Sequence, residues 1–336
     1  MDLSTTYLGI KLKNPVIAGA SNLTANPAKA KMLQEAGVAA IVYKSLFEEQ
    51  IELEDAELED ELHSFDDRNA EMINLFPKVE HSGPKGHLLA LAEFKKAVSI
   101  PVIASLNCHT GQKWGEFAQL LAQTGVDALE LNFYSTISES GKTPQDIEQE
   151  QVDILKQVKK SVKIPVAVKL SPFYTNPLTF IHKLDDAGVD GLVLFNRFFQ
   201  PDINIWEESM QMPYNLSQKG DNRVSLRYMG LLAGNVKAGL CANTGIIEGE
   251  DVIASILAGA DAVQMVSGIY QHGTKHIASV LKSMEEWMLK KGYLSIKEFK
   301  GKMSKKNLTD PYAYKRSQYV DFLMKSKEYE NKYPVK

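Results

Sequence analysis

Hydrophobic and polar positions along this chain repeat a pattern that shows first in four segments: "LQEAGVAAIVYKS" (33–45), "LAQTGVDALELNF" (121–133), "LDDAGVDGLVLFN" (184–196) and "ILAGADAVQMVSG" (256–268). Each reads as a helix end, a glycine stop (Gly37, Gly125, Gly188, Gly259) and a short apolar run. Glycine supplies the left-handed turn that ends a helix without steric cost. The runs are nearly continuous in apolar character, as parallel strands covered on both faces are. Between them lie four more strand candidates: "NPVIAGAS" (14–21), "IPVIASLN" (100–107), "IPVAVKLS" (164–171) and "KAGLCANTG" (237–245). Helical stretches alternate with the strands, over 27–36, 112–123, 144–161 and 273–290. Eight strand–helix units over roughly 270 residues predict an α/β fold, a (β/α)8 TIM barrel, whose usual size is about 250 residues. A doubly wound open sheet is the competing architecture, but it carries a glycine fingerprint after its first strand. None stands here.

Two connections exceed ordinary loop lengths, residues 47–85 after the second strand and 199–222 after the sixth. Both leave the C-terminal ends of strands, where barrel enzymes build their sites. The chain is thus read as a barrel over 1–302 with these two insertions, followed by a C-terminal extension over 303–336. Residues 48–67 hold eleven acidic side chains, whereas 297–336 hold eleven basic against five acidic ones. Aromatic residues in the extension, Tyr312, Tyr314, Tyr319 and Phe322, predict that it packs on the barrel or on a neighbour.

Composition narrows the function classes. The 336 residues are 44% hydrophobic and 24% charged with a net charge of -4. That balance suits a globular protein without general affinity for nucleic acid. Cys108 and Cys241 stand far apart, so no metal site and no iron–sulfur cluster is expected within the chain. No apolar run reaches the ~18 residues of a membrane span, and residues 1–13 lack a signal-peptide core. The expected location is the cytoplasm.

The strand ends carry the candidate chemistry. In order they present Ala20 and Ser21, Lys44 and Ser45, Ser105 and Asn107, Asn132, Lys169, Asn196, Gly245, and Ser267 with Gly268. Lysine is rarely buried without a partner, and here two lysines end core strands. A polar ligand site explains this convergence; strand-to-loop exits are the alternative, since serine and asparagine favour turns. "NTGIIEGED" and "VSGIYQHG" place glycine turns after the last two strands, where barrels often bind phosphate through free backbone N–H groups.

These pieces carry a family resemblance. "NPVIAGAS", "YKS", "LELN", "VKLSP", "LFN", "NLS", "NTGI", "LAGADAVQMVSG" and "KGYLSIKEFKGK", in this order and spacing, resemble the flavin-dependent dihydroorotate dehydrogenases, especially the soluble kind. The resemblance implies an FMN-bearing barrel in which hydride passes from dihydroorotate to the flavin. It places Ala20, Ser21, Ser45 and Ser105 along the flavin, Lys44 near flavin and substrate, and Lys169 at the flavin edge where reduction leaves negative charge. It gives Asn132 and Asn196 to flavin and substrate, Ser217 to a flavin-contacting loop, and Gly245, Ile246, Ser267 and Gly268 to the phosphate. The catalytic base falls at Ser135, which otherwise reads as a loop residue capping a turn. The resemblance also suggests a homodimer; for the electron acceptor a soluble molecule and a separate partner protein both stay open.

Departures concentrate on the substrate side. Thr136 and Ile137 stand where the family has proline and asparagine, and Arg197 where it has serine or threonine. A guanidinium there is suited to a substrate carboxylate. In the long second loop, Asn69 and Asn74 are the candidates for a substrate amide. Two other readings stay open: an FMN barrel oxidising a different dihydropyrimidine or cyclic amide, and a flavin-free, phosphate-binding lyase or isomerase.

Overall fold

The computed structural model describes residues 1–53, 84–109, 111–134, 141–197, 201–213, 215–315, 317–325, 328 and 331–332. Most of the insertion 47–85, with Asn69 and Asn74, and the segment holding Ser135, Thr136 and Ile137 lie outside these residues. Eight parallel strands close into a barrel: β1 (Val16–Ala18), β2 (Ala40–Phe47), β3 (Val102–Asn107), β4 (Ala128–Phe133), β5 (Val166–Leu170), β6 (Gly191–Leu194), β7 (Gly239–Ala242) and β8 (Ala262–Met265). β8 returns to β1 with Val263 opposite Val16, which completes the ring. The expected TIM barrel is what forms.

Helices clothe the ring, and local sequence sets their ends. In α1 (Pro27–Ala36), Asn26 caps the first turn by accepting from the N–H groups of Ala28 and Lys29, and Gly37 stops the helix at φ 110°. After α2 (Lys85–Ala97) and α3 (Lys113–Gln123), α4 (Pro144–Ser161) opens on a reciprocal Thr143–Asp146 capping box with proline at its first turn. Then come α5 (Pro177–Asp186), α6 (Arg223–Leu232), α7 (Gly249–Ala258), a short α8 (Ser267–His272) and α9 (His276–Lys291).

The repeated glycine-plus-aspartate grammar has a structural reason. Asp127 Oδ2 accepts the Val102 N–H at 2.7 Å, Asp190 Oδ2 that of Val166 at 2.7 Å, and Asp261 Oδ2 that of Leu240 at 2.8 Å. Each aspartate opens one strand while its carboxylate ties down the start of the strand before it. Lys95, Lys159 and Lys300 sit on the same three carboxylates. The echo in the sequence is therefore a strand-to-strand latch, used three times.

The barrel interior is apolar at its lower end and polar at its upper end. Ile17, Val42, Ile103, Val193 and Cys241 fill the lower part, closed from beneath by Tyr7, Leu8 and Leu12. Those three belong to an N-terminal hairpin, Thr5–Tyr7 paired with Ile10–Leu12. Gly191 is required by this plug: a Cβ there would stand 2.6 Å from Leu8 Cδ2. Above this layer the buried side chains become Ser105, Glu130, Lys169 and Gln264. That change of polarity marks the end of the barrel that faces the site.

Two pieces add to the barrel. The second insertion contains a hairpin, Asp202–Asn204 with Ser209–Gln211, on which Trp206 is 89% exposed. Of the extension, Met303 donates its backbone N–H to Leu257 O, Lys305 to Gly230 O, and the Tyr314 hydroxyl returns to Met303 O at 2.6 Å. Residues 303–314 thus lie along α6 and α7. Among the described residues no helix is long and apolar enough to cross a membrane.

Candidate active site

At the upper end of the barrel a cavity opens between the ends of β1, β5, β6, β7 and β8. Ala20, Lys169, Asn196 and Arg197 line one side of it, and Ser217, Gly245, Ile246 and Ser267 the other. Residues expected from the sequence to share a site therefore do share one. Of the other expected residues, Asn132 joins the lining through its bond with Asn196, and Ser21 and Gly268 adjoin Ala20 and Ser267 in the chain, whereas Lys44, Ser45 and Ser105 lie at the ends of β2 and β3 outside that lining.

The β7–β8 wall is made of backbone. Thr244 and Gly245 both have positive φ, 70° and 71°, so the chain turns sharply as it leaves β7. Gly245 cannot be replaced in place, because a Cβ would come within 2.4 Å of the Asn222 nitrogen. The next amides are divided by Asp251, whose Oδ2 accepts from Ile247 at 3.0 Å and Glu248 at 2.9 Å. Ile246, the residue before them, lines the cavity. The turn at Ser267–Gly268 packs against this one, since a Cβ on Gly268 would stand 3.1 Å from Ile247 O. Two such turns side by side, one of them opening a helix, have the backbone geometry of a cradle that suits a phosphate.

A loop folds over that cradle and is stapled from three sides. The Ser217 N–H donates to Ser267 Oγ at 2.9 Å, and Gln271 Nε2 donates to Ser217 O at 3.1 Å. Arg197 supplies the third contact, donating from Nε to Asn215 O at 2.8 Å and from Nη1 to Ser217 Oγ at 3.2 Å and Asp221 Oδ2 at 2.8 Å. The Gln218 N–H, and after it Arg197, hold the Asp221 carboxyl below its ordinary range. The guanidinium expected to meet a substrate carboxylate thus spends these bonds on the Ser217 loop.

On the floor, Lys169 Nζ lies 3.3 Å from Gln264 Oε1 and 3.8 Å from Glu130 Oε1. On the β4–β6 side, Asn196 Nδ2 donates to Asn132 Oδ1 at 2.7 Å, which leaves the Asn132 amide group and the Asn196 carbonyl for a ligand. On the β2–β3 side a β-bulge sets the geometry. Tyr43 pairs with Ala104 and Leu46 with Leu106, so Lys44 and Ser45 together oppose Ser105. Bulges re-aim side chains next to sites. Here Ser45 and Ser105 share a buried hydrogen bond of 2.7 Å. Lys44 is half-buried and makes no ion pair among the described residues. His87 stands nearby on α2, edge-on to Tyr43; burial and then the Lys44 charge lower its pKa to about 4.

A cavity with a phosphate cradle at one end and a buried ammonium and paired amides at the other suits a phosphorylated, planar, hydrogen-bonding group. Comparison with known proteins agrees: the family profile described as Dihydroorotate dehydrogenase matches residues 2–288. The chain belongs to the dihydroorotate dehydrogenase family. The dihydroorotate dehydrogenase B (NAD(+)), catalytic subunit, of Thermoplasma volcanium is 28% identical over 298 residues, covering 86% of this chain and 92% of its own. The proteins of the same name from Methanocaldococcus jannaschii and Methanosarcina mazei are each 28% identical, over 298 and 309 residues. These cover 81% and 89% of this chain and 88% and 94% of their own.

Dihydroorotate dehydrogenases are flavoproteins, and the site has the features a flavin nucleotide requires. Besides the cradle, Ser21 Oγ at the β1 end is buried and has no hydrogen-bond partner among the described residues. The sequence reading missed several residues of the site: Glu130, Asn243, Thr244 and Gln264. Glu130 and Gln264 had a signal, being polar positions inside otherwise apolar strand runs. Thr244 had none, because its positive φ comes from how the turn packs.

Proposed function

We propose that this chain binds FMN and oxidises dihydroorotate to orotate, the flavin accepting a hydride when bound. The observation that carries the reading is the pairing of one buried ammonium, Lys169, with a phosphate cradle of backbone amides across a single cavity. Gly245, Ile246, Ser267 and Gly268 would hold the phosphate, while Ala20, Ser21, Ser45 and Ser105 would line the flavin's near side. Lys169 would meet the edge of the flavin that becomes negative, and a charge fixed beforehand stabilises what develops there at no reorganisation cost. Asn132, Asn196 and Lys44 would orient the substrate ring, with Asn69 a further candidate in the long loop. Ser135 would take the substrate proton, helped by a hydrogen-bonded neighbour or water because a hydroxyl alone is a weak base near neutral pH.

As part of the same reading, the protein works in the cytoplasm as a homodimer and hands its electrons to a separate acceptor. Support comes from relatives named as NAD(+)-type catalytic subunits. The test is purification and anaerobic titration. A yellow protein whose bound FMN is bleached by dihydroorotate supports the reading; a colourless protein that takes up no FMN sinks it. One observation favours a second substrate of the same class. Arg197 is committed to Asp221 and the Ser217 loop, and Thr136 and Ile137 replace a substrate amide, so a dihydropyrimidine with fewer polar edges would lose less here. Bleaching by such a compound, and none by dihydroorotate, would select it.

A further inference from the structure

Beneath the cavity lies one buried ion pair with an amide wedged into it. Glu130 and Lys169 project from adjacent strands with side chains 1% and 8% exposed. Among the described residues Glu130 Oε1 accepts no hydrogen bond, and it stands 3.8 Å from the ammonium. Its other oxygen accepts from Gln264 Nε2, and Gln264 Oε1 accepts from Lys169 Nζ at 3.3 Å. The amide can sit only this way round: reversed, its oxygen would face the carboxylate and its NH₂ the ammonium.

Other titratable groups near the pair leave Glu130 as its counter-charge. Tyr7 below and Cys241 on β7 are both pushed well up, chiefly by burial, and so stay neutral. Asp261, at the foot of the barrel, is tied to Lys300. At the mouth Arg197 is bound to Asp221, and Lys44 stands on β2 beside His87. Among the described residues, Glu130 is the carboxylate within ion-pair distance of Lys169.

We propose that Glu130, acting with Gln264, is a positioning residue for flavin reduction: it keeps Lys169 charged and facing the cavity before any electron arrives. The inference rests on the FMN reading above. A buried ammonium without a counter-charge tends to give up its proton, and would then regain it only when negative charge appears beside it. The difference is a proton count. With Glu130 in place, two electrons enter the flavin with one proton, the one that accompanies the hydride equivalent. Without it, Lys169 binds a second proton in the same step.

The decisive measurement is the midpoint potential of bound FMN against pH around neutrality. For the wild type, the reduction equilibrium is expected to change tenfold per pH unit, about 30 mV for a two-electron couple. For Glu130→Gln, which keeps size and shape, it is expected to change a hundredfold per pH unit, about 59 mV. Equal slopes in the two proteins, or a two-proton slope in the wild type, overturn the proposal. A second arm needs no flavin. Removing one member of a buried pair strands the other, whereas removing both does not. Flavin-free Lys169→Met is therefore expected to melt below the double variant Lys169→Met/Glu130→Gln; the reverse order, or equal melting, overturns the proposal. If the wild type binds no FMN, the functional reading and the role in flavin reduction both fall, whereas a wild type that binds FMN but shows equal slopes or the wrong melting order overturns this proposal alone.

Discussion

The two walls of the cavity are built from different materials. The wall proposed for the cofactor, at β7 and β8, consists of backbone turns fixed by steric necessity, with Gly245 under the Asn222 nitrogen and Gly268 against Ile247 O. The wall proposed for the substrate, at β4 to β6, consists of side chains on strand ends, Asn132 and Asn196; in the sequence that follows those strands, Thr136, Ile137 and Arg197 depart from the family pattern. Backbone amides bind phosphate whatever side chains they carry, so outside its sterically fixed glycines the first wall would tolerate sequence change without losing an anion. On the second wall each changed side chain alters which polar edges can be paired.

Several experiments would break or sharpen that contrast. The largest effect is expected at Ser135: Ser135→Ala should slow flavin reduction by substrate about 10²- to 10⁴-fold with FMN affinity unchanged. Stopped-flow reduction beside a fluorescence binding titration measures both. A wild-type rate would return Ser135 to the role of a turn residue. Next is Gly245→Ala, which combines a positive φ with a Cβ 2.4 Å from backbone. Backbone strain plus overpacking of about 3 kcal/mol in total corresponds to roughly 100-fold weaker FMN binding. Undiminished affinity would remove the turn from the cofactor wall.

Arg197 tests on which wall a residue acts. Its bonds run to the Ser217 loop, so Arg197→Ala should weaken FMN about tenfold, the equivalent of one or two lost hydrogen bonds, and leave the substrate KM nearly unchanged. The opposite pattern, a raised KM with normal FMN affinity, would move the residue to the substrate wall. The smallest effect concerns His87, on α2 beside Lys44. Its pKa is about 4 when folded against 6.5 when unfolded, so the unfolded chain binds the extra proton. Its presence therefore costs nothing above pH 6.5 and lowers stability progressively as pH falls from 6.5 toward 4, by on the order of 1–2 kcal/mol near pH 5. His87→Phe should lose less melting temperature between pH 7 and pH 5 than the wild type does. An equal loss would contradict the burial assigned to this imidazole.

How much of this was legible in the sequence depends on how far apart the interacting residues lie. The eight strands and α1 and α4 follow from local signals: helix-stopping glycines, capping residues and apolar runs. The expected helix over 273–290 begins later, at His276, because a short helix over Ser267–His272 comes first and Gly273, at φ 78°, separates the two. Strand-end residues could be named because barrels gather strand ends on one face. Their pairings could not. Gln264 meets Glu130 across 134 positions, Asn196 meets Asn132 across 64, and the bulge at Lys44 and Ser45 exists only in register with β3. Arg197 illustrates the same limit: its residue type suggested a carboxylate ligand, and its neighbours in space supplied one from the protein itself.

The central claim is that the cofactor wall holds FMN and the altered substrate wall still presents dihydroorotate to it. Anaerobic addition of dihydroorotate to the FMN-loaded protein tests both halves at once. The expected result is bleaching of the visible flavin absorbance with one equivalent of orotate formed per flavin. Retained colour under dihydroorotate, in a protein that dithionite bleaches, would contradict it.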